Sequence, residues 1–259
     1  MQEDSRRLID EAISFEPIKN TFRLSWEFVI LNKKFTLTAM SMLLLLNLLT
    51  MFLGLLAMFA SGILSMAIQI YISRLIYQTE NIETFIAESK ESKLETIVSK
   101  YSFTAMGAYF GTITLLLIFL ALLTLLIQNL GVDLENIKLE ELVVRLQPFA
   151  LPMVLFTLAI SYIYPLVESN IALSRDFKEA YRAVLTLFSP TLWRKTFHRE
   201  YFRYISLLLL MVGAGMLFFG VLITIPVINI FSGFIIVIVM YLYMVLMSVT
   251  SMMARRVVE

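Results

Sequence analysis

The chain has 259 residues, of which 59% are hydrophobic and only 16% charged, with a mean hydropathy of +0.82 and a formal net charge of +1. That balance excludes an ordinary water-facing surface, since soluble domains draw about 25% of their residues from charged types, and the near-zero total gives no sign of a strongly acidic or basic partner. The absence of Cys and the single His, His198, exclude disulfides, thiolate nucleophiles, thiolate metal sites and histidine clusters, and no cofactor is expected.

Residues 1–34 form a first unit, expected to be cytoplasmic and interfacial. Its charges lie where a signal peptide would need an apolar core, so the first span is expected to stay in the mature chain. Between Glu16 and Lys34, the residues Ile18, Phe22, Trp26 and Val29 recur at spacings of four and three. Ser14 is the candidate N-cap, and Pro17 sits where a first helical turn tolerates it. This pattern predicts an amphipathic helix lying in the membrane interface.

Residues 35–259 form the second unit, a six-span domain. About 20 apolar residues are needed to cross a bilayer. The block Phe35 to Tyr77, broken only by Arg74, is long enough for two short spans, 36–58 and 62–77, turning at Ala60-Ser61-Gly62. A polar helix with interleaved charges follows over Glu80 to Lys100. The third span, 102–130, is long enough to tilt. The outer loop from Gly131 to Gln147 carries Asp133, Glu135, Glu140 and Glu141. The fourth span, 149–167, is bounded by Pro148 and Pro165. Asp176 to Phe188 predicts another amphipathic helix, with Phe177, Tyr181, Val184 and Phe188 on one face. The block from Tyr204 to Ala254 divides at Pro226 and Asn229 into spans 204–226 and 230–253. The blocks are continuously apolar, whereas membrane strands alternate. The fold class is therefore all-α: a polytopic transmembrane helix bundle of about six spans with cytoplasmic amphipathic helices.

Lys and Arg set the orientation. Of 21 such residues, only Lys138 and Arg145 fall on the outer side of a six-span layout, leaving 19 with the termini. Both ends are thus expected in the cytoplasm. A threefold unit, an amphipathic helix followed by two spans, is also visible. It rests on the likeness of Ile18-Lys19-Asn20-Thr21-Phe22-Arg23 to Phe177-Lys178-Glu179-Ala180-Tyr181-Arg182, and on Lys93 to Tyr101 before the middle pair. Convergence of amphipathic helices on such patterns is the alternative.

The chemistry is sparse. No ionisable side chain falls in the middle of a span as drawn, which disfavours proton- or sodium-coupled transport. Asn47, Gln69 and Asn229 are candidates for a polar seam along a solute path, with Thr50, Thr112, Thr114 and Ser161 also at depth. Hydrogen bonding between helices is the alternative reading. Gly107 and Gly111 form a GxxxG, expected to serve helix packing. Trp193, Arg194, Lys195, Arg199 and Arg203 interleave aromatic and basic character just before the fifth span. They are candidates for docking lipid headgroups or a partner protein, and the ordinary interfacial belt is the alternative. No nucleotide loop or Ser-His-Asp set is present, and nucleic acid is not an expected partner. A membrane enzyme would have to draw on paired acidic residues near the cytoplasmic face, such as Glu168 with Asp176, and no enzymatic activity is expected.

Three features carry a resemblance: Ser25-Trp26 in the helix before span one, the Phe177-to-Arg182 helix ahead of the aromatic-basic stretch, and Gly220-Val221-Leu222-Ile223-Thr224-Ile225-Pro226 in the last hairpin. Together they resemble a group of bacterial six-span inner-membrane proteins of unknown function. Related domains form the membrane part of fusions with glycerophosphodiester phosphodiesterases. The resemblance implies a multi-pass protein of the bacterial inner (cytoplasmic) membrane with a supporting role near lipid metabolism. The phosphodiesterase domain has no counterpart here, so that activity is not implied. The expected function is non-enzymatic, binding lipids or scaffolding a membrane complex. The alternative is a permease subunit for a neutral or amphipathic solute, and the expected partners are membrane lipids and other membrane or cytoplasmic proteins.

Overall fold

The computed structural model describes residues 8–14, 16–129, 147–225 and 231–259, and the described residues are helical, with no strand. The acidic outer loop, the turn expected at Pro226 and Asn229, and Asn229 itself lie outside the described residues. Among the described residues eleven α-helices follow one another: α1 (Leu8–Ser14), α2 (Pro17–Leu31), α3 (Lys33–Leu53), α4 (Leu55–Gln78), α5 (Ile82–Glu91), α6 (Leu94–Asn129), α7 (Ala150–Leu173), α8 (Phe177–Leu185), α9 (Pro190–Thr196), α10 (Arg199–Ile223) and α11 (Ser232–Val258). Six of them, α3, α4, α6, α7 (with the short turn Gln147–Phe149 before it), α10 and α11, are long and apolar enough to cross a membrane. The chain is a multi-pass membrane protein. In element order, α2 precedes α3 and α4, α5 precedes α6 and α7, and α8 with α9 precedes α10 and α11.

The first two spans divide at Gly54, not at Ala60-Ser61-Gly62. Gly54 takes φ 52°, a left-handed conformation in which a side chain would be strained. Residues 60–62 stay helical. Gly62 is needed there for another reason: the ring of Tyr109 lies where a Cβ would stand, at 2.0 Å. Smallness at that site reflects a close approach between helices and not a turn.

Three further boundaries move for local reasons. Ser14 closes α1, and α2 begins after Glu16, whose side chain makes no capping bond. The polar helix expected over 80–100 is cut at Ser92. Asn81 and Thr84 form a capping box at the start of α5, while Asn32 Nδ2 donates to the carbonyls of Ser89, Lys90 and Ser92 at its end. The same Asn32 accepts from Phe35 N and so starts α3. The fourth span does not stop at Pro165 but runs through it to Leu173. At 36 residues, α6 is about 54 Å long, well beyond a bilayer core of about 30 Å.

Packing is concentrated at one end of the bundle. In α11, every residue from Met244 to Ala254 is buried, so this half of the last helix is surrounded by protein. It packs on α7, α4 and α2. α8 lies across α6, which also packs on α4. At the opposite end, Met51 and Phe52 of α3, Leu155 of α7 and Leu217 of α10 are exposed apolar residues. There the helices part and turn their side chains outward, as lipid allows.

Gly107 and Gly111 serve contacts within the chain. A Cβ on Gly107 would meet the carbonyl oxygen of Phe177 at 2.1 Å, and one on Gly111 would meet Val184 at 2.9 Å. The amphipathic α8 therefore seats on the small-residue face of α6. Gly213 has open space around it. Gly107→Ala is expected to lower stability by about 1–3 kcal/mol through overpacking, while Gly213→Ala leaves it unchanged or slightly raised. Thermal unfolding of the two variants in the same detergent checks the contrast.

Candidate functional site

The separation of the helices leaves two clefts inside the membrane-spanning region. The first lies between α2, α10 and α11. α10 is anchored only through its first half, where Tyr201, Tyr204, Ile205 and Leu208 are buried. Tyr204 Oη and Thr21 Oγ1 share a buried hydrogen bond of 2.8 Å that ties α10 to α2. Beyond this tie the helices diverge around a cleft of about 460 Å³, lined by Phe22, Trp26, Met211, Gly215, Phe219 and Tyr243 among others. Toward the charged ends of α2 and α10, a second hollow of about 840 Å³ is lined by Glu16, Lys19, Glu200 and Arg203. Phe22 and Met211 line both spaces, so the two adjoin along α2 and α10 as an interhelical groove, polar at one end and apolar at the other.

The sequence stripe Ile18, Phe22, Trp26 and Val29 takes on a new role here. α2 buries Thr21, Leu24, Ser25 and Phe28 against the bundle. Phe22, Trp26 and Val29 are left facing the groove.

The other cleft, about 350 Å³, lies between α3, α4 and α11. Asn47, Ser61, Ser65, Gln69, Tyr109 and Tyr241 contribute to its wall. The expected seam is thus brought together at Asn47 and Gln69. Most of the polar side chains at depth bond back to their own helix. Asn47 Nδ2 donates to Leu43 O at 2.9 Å, Ser65 Oγ to Ser61 O, Thr112 Oγ1 to Ala108 O and Thr114 Oγ1 to Phe110 O. That pattern satisfies a donor without a partner helix. Thr114 is also reached from another element, by Tyr181 Oη of α8, which donates to Thr114 Oγ1 at 3.3 Å. Gln69 makes no hydrogen bond among the described residues, and its amide is left to the cleft.

The aromatic-basic stretch is split by the fold. Trp193 turns inward, half-buried against the core, and its indole N–H donates to Leu187 O at 2.7 Å. Arg194, Lys195, Arg199 and Arg203 are exposed, and among the described residues none is in an ion pair. Of the five, only Arg203 lines the groove. The docking set expected from sequence therefore reduces to Arg203 at the groove and three outward cations beside it.

Two charged-type side chains near the ends of membrane-length helices, Arg74 and Glu168, reach into the protein. Arg74 of α4 reaches the end of α7, where its Nε donates to Ala172 O at 2.7 Å and its Nη2 to Ser174 O. Its guanidinium sits 5.0 Å over the Tyr101 ring. It thereby caps carbonyls that a helix end leaves unbonded. Glu168 of α7 is 4% exposed, and neither carboxylate oxygen has a hydrogen-bond partner among the described residues. Glu168 lies one residue past the expected end of the fourth span and five residues from the end of α7, enclosed because the helix continues past Pro165. The signal was present: Ile171, Ala172 and Leu173 resume the apolar run after it. Glu168 does not pair with Asp176, which is exposed and caps α8 by accepting from Glu179 N at 2.8 Å.

No family model, curated protein or solved structure matches this chain.

Arg74→Ala is expected to cost about 2–4 kcal/mol by stripping the end of α7 of its charged donors. Arg74→Lys should recover only part of this, because an ammonium lacks the guanidinium fork. Denaturation midpoints of the purified variants test the order wild type, Lys, Ala.

Proposed function

We propose that this chain is a non-enzymatic integral membrane protein that holds a phospholipid in the groove between α2 and α10. The observation that carries this reading is the amphipathic lining. Lys19, Arg203 and Glu200 lie at one end, and Phe22, Trp26, Met211, Gly215 and Phe219 at the other. Arg203 offers a planar fork to a phosphate, Glu200 offers a carboxylate to an ammonium headgroup, and the apolar part accepts an acyl chain. The exposed Arg194, Lys195 and Arg199 on the same side favour anionic headgroups at the surrounding membrane surface. A scaffolding role, with the bound lipid as part of the assembled surface, belongs to the same reading.

The proposed orientation places both termini and the amphipathic helices in the cytoplasm, in the bacterial inner membrane. The 19 Lys and Arg on that side, out of 21, support the orientation, and the family resemblance supports the membrane. A reporter fused after Glu259 is expected to act in the cytoplasm, and activity on the opposite side would overturn the orientation.

A second reading, a permease subunit for a neutral or amphipathic solute, is favoured by the cleft that holds Asn47 and Gln69. The two readings separate by variant. Gly215 has open space where a Cβ would stand and lines the cleft, so Gly215→Leu adds its bulk to the α2–α10 groove. Native mass spectrometry of the purified chain is expected to show a retained phospholipid, reduced roughly tenfold in occupancy by Gly215→Leu and by Arg203→Ala, in line with about 1.4 kcal/mol of lost binding. Full retention in both variants would sink the lipid reading. Loss of solute flux in vesicles on Asn47→Leu or Gln69→Leu would support the permease.

A further inference from the structure

Glu168 stands apart from the other carboxyl groups among the described residues. Its carboxyl is buried between helices with both oxygens unbonded. An uncompensated carboxylate in such a place is costly, and a neutral acid is much less so. Ionisable groups inside membranes are rare, and those that persist mark ion and proton sites. The packing around α7 shows why no cation relieves this one. Arg74, from α4, is held by the Ala172 and Ser174 carbonyls. Arg255, from α11, is held by Asn170 Oδ1 and Glu259. The charged groups of α8 (Lys178, Glu179, Arg182), of α9 (Arg194, Lys195) and of the start of α10 (Arg199, Glu200, Arg203) are all exposed. Tyr164, one turn back on α7, and Tyr243 of α11 lie close enough to feel a charge on this carboxyl. Among the described residues no cluster of three or more His, Asp or Glu exists to share a metal ion with it. The ligand that this site fits is a proton.

Tyr243 gives the site a route to consequences. It lines both the α2–α10–α11 cleft and the cleft that holds Asn47 and Gln69. We propose that Glu168 is a proton-binding site: neutral, it keeps α7 closed on α11, and when its proton passes to water the interface opens at the Tyr243 wall shared by the two clefts. The sign follows from the cost of the charge. The closed packing is complete where the carboxyl is protonated and is lost as pH rises through its titration. Return of the proton from water restores it. This holds whether or not the groove carries a phospholipid.

The absence of Cys from the chain makes a clean probe possible. Met247, one turn beyond Tyr243 on α11, is buried. With Met247→Cys as the only thiol, the labelling rate with a small maleimide, corrected for thiol ionisation, is expected to rise roughly tenfold between pH about 6 and about 9. In the Glu168→Gln background, which holds the neutral shape, the rate should stay low across the range. Equal pH profiles in the two backgrounds would overturn the proposal. Infrared titration of the otherwise unaltered chain is the second measurement, independent of the reporter. A protonated-carboxyl band that disappears with rising pH and is missing in Glu168→Gln is expected. No such difference would remove the proton site, and a titrating band without pH-dependent labelling would remove the opening.

Discussion

Two apolar helices inside a bilayer gain little by touching, because lipid tails are as apolar as leucine. What holds this bundle together must be close approach over small residues and hydrogen bonds that lipid cannot offer. Both are gathered at one end. Gly62 admits the Tyr109 ring, Gly107 admits the backbone of α8, and Thr21 bonds Tyr204. Along the buried half of α11, Ser248, Thr250 and Ser251 turn their hydroxyls back to their own helix, and Ser73 donates to Ser248 O at 3.3 Å. The helix can therefore be enclosed without stranding a donor.

The same constraint explains why the clefts are where they are. Beyond the tie between Tyr204 and Thr21, the side chains of α2, α10 and α11 that face one another are mostly apolar, and lipid competes on equal terms. α10 has no packed contact at Gly213, Gly215 or Gly220, and the groove begins there. The positions of Arg74 and Glu168 fit one picture as well. One uses its charge to complete the end of a neighbouring helix. The other has nothing to complete, and that marks it as the residue whose state can change.

The helices were legible in the sequence because lipid-facing segments are continuously apolar, and block length counts them. Boundaries inside double-length blocks were less so. Ala60-Ser61-Gly62 looks like a turn in one dimension, yet its small residues are read by Tyr109, which lies in another helix. Only Gly54, isolated among leucines, carried the true break. Pro165 misled in the same way, since a proline that ends one helix bends or merely sits within another when its neighbours compensate. The amphipathic stripe of α2 was correctly seen at Phe22, Trp26 and Val29, but periodicity cannot tell which of two faces meets protein. Of the seam expected at Asn47, Gln69 and Asn229, the first two line one cleft and Asn229 lies outside the described residues. The spread of Trp193 away from Arg203 was not, because the inward bond of an indole to Leu187 depends on the short turn between α8 and α9.

The uneven packing along the bundle has a mechanical side. Helices packed together at one end and parted at the other meet the two leaflets differently, so the lateral pressure of the surrounding lipids enters the free energy of their separation. The 36-residue α6 beside the 21-residue α3 adds a demand on local thickness. The membrane around this protein is thus a load as well as a solvent, and a change in lipid composition acts on the clefts even where no lipid enters them.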